Sequence, residues 1–107
     1  MAIKTPLSDE KLSTALETAG LRCTPQRLAV YNQLAREARH PTAEDLFHAV
    51  RQRIPKISLA TVYKALDALV AIGAATRLTT ADGSGSARYD ANGDVHYHFL
   101  CLRTDTV

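Results

Sequence analysis

The chain has 107 residues, 46% of them apolar, and a formal net charge of +2. That length holds one domain, or one domain and part of another, and no apolar run approaches the ~20 residues of a membrane-spanning helix. The N-terminus lacks the basic segment and apolar core of a secretory signal, and two cysteines, Cys23 and Cys101, make no disulfide framework; a cytoplasmic chain is expected.

Taken in chain order, the first helix is expected after Ser8, whose hydroxyl can cap it, with Asp9 and Glu10 at its positive end. Leu12, Ala15, Leu16 and Ala19 form its apolar stripe and Gly20 ends it. Thr24-Pro25 opens a second helix, a hydroxyl cap followed by proline at the first helical position, with Leu28, Tyr31, Leu34 and Ala35 facing inward. Pro41-Thr42 repeats the device, and Asp45 three residues on completes a capping-box pattern with Asp in place of the usual Glu. Ala43, Leu46, Phe47, Val50 and Ile54 face the core of this third helix, and His48 is read as a surface residue.

The fourth helix carries the most information. Ser58 caps it, Leu59, Val62, Leu66 and Leu69 recur at helical spacing, and Gly73 follows. The opposite face holds Thr61, Lys64, Ala68 and Ala71, with Tyr63 on its flank. Short, polar and basic side chains of this kind can enter a DNA major groove without clashing, although an ordinary amphipathic helix has the same outline. After Gly73 the period changes: 75–80 and 87–89 read as strands joined by Asp82-Gly83-Ser84-Gly85-Ser86, a β-hairpin. A further strand is expected through 95–102. The fold class is therefore mainly α with a β wing, a winged helix–turn–helix. Charge follows the same division. Residues 22–77 hold nine Lys/Arg against four acids, net +5, between flanks of −1 and −2. A basic centre points to a polyanion partner.

Val95-His96-Tyr97-His98-Phe99 adds a second chemistry. Alternate strand residues share a face, so His96 and His98 project together and can hold one transition metal. Asp90 lies six residues earlier and His40 beside Pro41, completing a possible nitrogen–oxygen donor set. Two histidines and a carboxylate also occur in mononuclear oxygenases and hydrolases, so a His/Asp metalloenzyme is an alternative at this point, as is a winged helix that binds other proteins.

Joined in order, Gly20-Leu21-Arg22-Cys23-Thr24-Pro25-Gln26-Arg27, His40-Pro41-Thr42-Ala43-Glu44-Asp45-Leu46, 57–66 (ISLATVYKAL), Arg88-Tyr89-Asp90 and His96-Tyr97-His98 resemble the ferric uptake regulator superfamily of metal-dependent repressors over about residues 10–102. The resemblance implies a cytoplasmic, dimeric regulator that binds an inverted repeat in double-stranded DNA when loaded with metal. By motif match, Tyr63 and Lys64 would face the major groove with Thr61 beside them, and Arg22 would approach the neighbouring minor groove. His40, Asp90, His96 and His98 match four ligands of the regulatory site, which would take Fe, Mn or Zn. Asp90 matches the peroxide-sensing branch, in which iron-catalysed oxidation of histidines matching His40 and His96 releases DNA; a manganese sensor is the other branch considered.

Two departures alter these expectations. Thr104 stands where the family often has the second cysteine after Cys101, so a four-cysteine structural zinc site is not expected. The expected layout is a winged-helix domain over 1–90 and the incomplete start of a dimerisation and metal-binding domain over 91–107, with a fifth ligand missing and weak self-association. A DNA-binding fragment without metal response is the alternative within the same class.

Overall fold

Each of the four helices begins where a short side chain can satisfy its first free amide. In the computed structural model, which describes residues 7–37, 39–79 and 87–92, these are α1 (Asp9–Thr18), α2 (Pro25–Arg36), α3 (Ala43–Val50) and α4 (Leu59–Ala71). Ser8 Oγ accepts from the Lys11 amide at 3.2 Å and Thr24 Oγ1 from that of Arg27 at 3.2 Å. Ser58 Oγ accepts from the Thr61 amide at 3.0 Å. At α3 the exchange is reciprocal: Thr42 Oγ1 accepts from Asp45 N at 3.1 Å, and Asp45 Oδ2 accepts from Thr42 N at 3.0 Å. Asp replaces the usual Glu of a capping box without loss of either bond.

Two helix ends are closed by the same backbone device. Gly20 and Gly73 have φ of +80° and +81°, a conformation glycine enters without steric cost. The turn lets Leu21 N donate to Leu16 O at 2.8 Å and Ala74 N donate to Leu69 O at 2.9 Å, the long bond of a Schellman motif in each case.

After α4 come β1 (Ala75–Leu78) and β2 (Arg88–Ala91), paired antiparallel with Ala75 opposite Ala91 and Leu78 opposite Arg88. This is the wing. Its other edge is also occupied. Thr42 bridges Arg88, and Tyr89 N donates to Pro41 O at 2.9 Å. The loop before α3 thus serves as a short third strand.

The core lies where α4 meets α2 and α3, with β1 against α4 and β2 against α2. Val62, Leu66 and Leu69 of α4 are fully buried with Leu12, Leu16, Val30, Tyr31, Leu46 and Val50. Removing one such leucine to Ala leaves a cavity that costs about 2–5 kcal/mol. Three residues of the expected faces change. Ala68, expected on the outer face of α4, is buried, because β1 covers that side of the helix as well. Ala19 is exposed as the C-cap of α1 rather than part of its stripe, and Val30, outside the expected α2 face, is buried.

The wing is tied down by Asn92. Its amide nitrogen Nδ2 donates to Gly73 O at 2.8 Å and to Thr76 Oγ1 at 3.1 Å, and its backbone N donates to Ala74 O at 2.8 Å. Its carbonyl accepts from the Tyr31 hydroxyl at 3.0 Å, and that hydroxyl accepts from Leu7 N at 2.9 Å. The buried Tyr31 phenol thereby joins both ends of the described chain to α2. The expected strand over 95–102 and the wing turn over 82–86 lie outside the described residues, as does Cys101.

The capping box gives a stability prediction. The Thr42 backbone N–H bond is the main cause that holds Asp45 below its ordinary carboxylate value; desolvation opposes it, and the Thr42 hydroxyl, Arg88 and His48 add smaller lowering effects. A lowered folded-state value means the Asp45 contribution is present above the unfolded carboxylate value, near 3.9, and is lost as pH falls through the folded one. Thr42→Ala should lower unfolding free energy by about 1 kcal/mol. Asp45→Ala should be less stable than wild type at pH 7, with the gap closing as denaturation curves are repeated toward pH 3.

Candidate nucleic-acid interface and metal pair

The outward face of α4 is short-chained and carries little charge besides one cation in its first half. Ala60, Tyr63 and Lys64 are exposed and Thr61 is half-buried; Asp67 follows a turn later. Tyr63 is one of two large apolar side chains standing out from the described surface, at 41% exposure. Thr61 Oγ1 lies 2.9 Å from Ser58 Oγ, so its hydroxyl is oriented by the helix cap.

Arg22 comes to this face from the α1–α2 loop. A groove lined by Arg22, Thr24, Gln26, Arg27, Thr61 and Lys64 places it beside the first half of α4. The loop is held by Arg27, whose Nη1 donates to Arg22 O at 2.6 Å. Arg27 escaped the sequence reading because its role depends on a backbone carbonyl five residues away. Three of the expected DNA-contacting residues, Arg22, Thr61 and Lys64, therefore line one concave, basic surface, with Tyr63 next to it on the same helix.

The second cluster lies where the wing meets the loop before α3. The backbone bonds from β2 to Pro41 and Thr42 bring His40 opposite Asp90. His40 Nε2 stands 4.0 Å from Asp90 Oδ2, with the two side chains 53% and 33% exposed. The residues are 50 apart in sequence. An imidazole and a carboxylate at this separation, both open to solvent, are a donor pair of the type that first-row metals accept. Among the described residues no group of three or more His, Cys, Asp or Glu surrounds a common point. His96 and His98 lie outside the described residues. His48 is exposed and sits beside Phe47, with ring centroids 5.4 Å apart.

A helix–turn–helix whose last helix is backed by a two-stranded hairpin, with the loop before the third helix as an extra edge, defines the winged-helix class of DNA-binding domain. The chain belongs to the ferric uptake regulator family, whose model matches residues 18–107. It is 39% identical over 92 residues to the peroxide-responsive repressor PerR of Staphylococcus epidermidis, covering 86% of this chain and 60% of the relative. The PerR of Staphylococcus aureus is likewise 39% identical over 92 residues, with 86% and 61% covered. The fold is similar to that of the Helicobacter pylori ferric uptake regulator Fur, with a TM-score of 0.73 and 26% identity, over 88% of this chain and 64% of that one. It is similar to PerR from Streptococcus pyogenes, with a TM-score of 0.71 and 26% identity, over 87% and 63%. The chain spans about 60% of the length of the curated relatives it matches. Among the described residues no helix is long and apolar enough to cross a membrane.

The geometry predicts a direct effect on metal binding. The His40→Ala, Asp90→Ala double variant should lose at least tenfold in affinity for Mn2+ or Zn2+, measured by competition with a chromophoric chelator, while its far-ultraviolet circular dichroism stays unchanged.

Proposed function

We propose that this chain is the DNA-reading part of a metal-responsive transcriptional repressor that binds an inverted-repeat operator as a homodimer. The observation that carries the reading is the presence on one winged helix of a basic groove that joins Arg22 to the short-chained face of α4, and of a His40–Asp90 pair at the β2 edge of the wing. In this reading Tyr63 and Lys64 enter the major groove, Thr61 supports them, and Arg22 reaches toward the adjacent minor groove.

His40 and Asp90 hold a divalent metal, Fe, Mn or Zn, together with His96 and His98 from the segment that follows the wing. Imidazole and carboxylate donors suit these ions. A bound divalent ion would supply a Lewis-acidic centre to which His40 and Asp90, and in this reading His96 and His98, would each give one donor. His40 and Asp90 present the winged-helix unit's half of that donor set already close together. Fixing the angle between the two parts sets the separation of two recognition helices in a dimer, which must match half-sites on one duplex. The ligand acts by favouring one arrangement over others. Similarity to PerR at 39% identity, with Asp at position 90, supports the peroxide-sensing branch within this reading.

The reading is tested by fluorescence anisotropy on operators selected from random duplexes, with and without Mn2+. Specific affinity should rise with metal and fall steeply with salt. Tyr63→Ala should cost about 1–3 kcal/mol in specific binding through loss of an apolar contact to a thymine methyl. Lys64→Ala should weaken binding and flatten the salt slope if it meets a phosphate. Specific binding unchanged in a folded variant that combines Tyr63→Ala and Lys64→Ala would overturn the assignment of α4, and metal-independent binding would leave a DNA-binding domain without metal response.

A further inference from the structure

A side chain of β2 also reaches the residue that carries the imidazole of the His40–Asp90 pair. Arg88 opens β2, with its backbone opposite Leu78 on one side and bridging Thr42 on the other. Its guanidinium Nη1 donates to the backbone carbonyl of His40 at 2.8 Å, across 48 residues of sequence. In a strand, residues two apart share a face, and the exposure along β2 alternates accordingly, with Arg88 exposed, Tyr89 buried and Asp90 half-buried. Arg88 and Asp90 therefore approach His40 from one face of the same strand. Arg88 takes its carbonyl, and Asp90 stands 4.0 Å from its imidazole.

We propose that Arg88 is a positioning residue for the metal pair: its bond to the His40 carbonyl holds the imidazole over Asp90, so that metal affinity depends on a side chain that is not itself a ligand. The inference rests on the metal-site reading above. His40 lies in the connection between α2 and α3, outside any regular element, and needs a fixed point. The Tyr89 amide fixes the neighbouring Pro41 carbonyl from the same strand, and Arg88 fixes the residue that carries the donor. A guanidinium suits the task because it stays charged at every accessible pH and presents its donors in a rigid plane. The Asp45 carboxylate, itself lowered in part by Arg88, offsets the cation locally.

The charge of Arg88 gives the test a sign. If the guanidinium acted only as a nearby positive charge, it would repel a metal cation, and removing it would tighten metal binding. If it positions His40, removing it weakens binding, as loss of partners that orient ligands does, by about 10–100-fold. Mn2+ affinity is measured by electron paramagnetic resonance for the full chain and for Arg88→Met, which keeps side-chain length without donor or charge. Arg88→Thr, which favours strand, repeats the test should methionine disturb the hairpin, and Arg88→Lys restores a donor. Thermal melts of the metal-free proteins check the fold.

The expected result is about a tenfold or greater loss in Arg88→Met and Arg88→Thr, with Arg88→Lys recovering most of it. Unchanged or tighter Mn2+ binding in folded Arg88→Met or Arg88→Thr overturns the proposal, as does a Lys variant as weak as the others. His40→Ala combined with Asp90→Ala is measured alongside. Unchanged binding there overturns the metal site and this inference together, whereas loss there with none in the Arg88 variants overturns this inference alone.

Discussion

The organisation of this chain depends on the double pairing of β2. On one edge it meets β1 in antiparallel register, and on the other it takes the Pro41–Thr42 loop through the Tyr89 amide and the Arg88 bridge. A strand with both edges paired has its register fixed from two sides. Alternation along four residues then decides three outcomes. Tyr89 turns into the core, where burial pushes its phenol above the ordinary value. Arg88 and Asp90 turn to the other face, toward His40. Each consequence follows from period-2 geometry once the register is set.

That pairing links the two chemistries of the molecule. Asp67 and Tyr63 of α4 both contribute to the field at the Tyr89 phenol, so the exposed face of α4 and the wing are near neighbours through one buried ring. On the far side of the same strand stands the His40–Asp90 pair. A ligand that draws on Asp90 therefore acts on the strand paired with β1, and β1 packs against α4. At the end of the strand, Asn92 binds Gly73, Ala74 and Thr76 and accepts from Tyr31, so the last described residue, four before His96 in sequence, is tied to α2, to β1 and to the turn before it. The connection toward the remaining expected ligands is short.

The local chemistry of the chain made most of the fold legible. Ser8, Thr24, Thr42 and Ser58 each declared a helix start because a cap is a contact within three residues, and Gly20 and Gly73 declared the ends because only a few residues tolerate their backbone angles. What the sequence obscured depends on tertiary neighbours. Ala68 looked outward because a single helical stripe assumes one packed side, whereas α4 is packed against α2 and α3 and also against β1. Val30 was invisible for a related reason. The joining of His40 to Asp90 is not contained in any spacing, since 50 residues separate them; the family resemblance suggested it, and the strand pairing brings them to 4.0 Å. Arg27 and Arg88 hold backbone carbonyls, which leave no mark in a side-chain pattern.

The central claim is that the wing edge carries the unit's half of a metal site. Paramagnetic broadening of amide resonances in a 15N-labelled chain, titrated with substoichiometric Mn2+, reads that location directly. The account predicts that the amide signals of Arg39, His40, Thr42 and 89–91 disappear first, together with those around His96 and His98, while α1 and the first turn of α4 persist. Broadening centred on any other surface, with residues 40 and 90 unaffected, would contradict it.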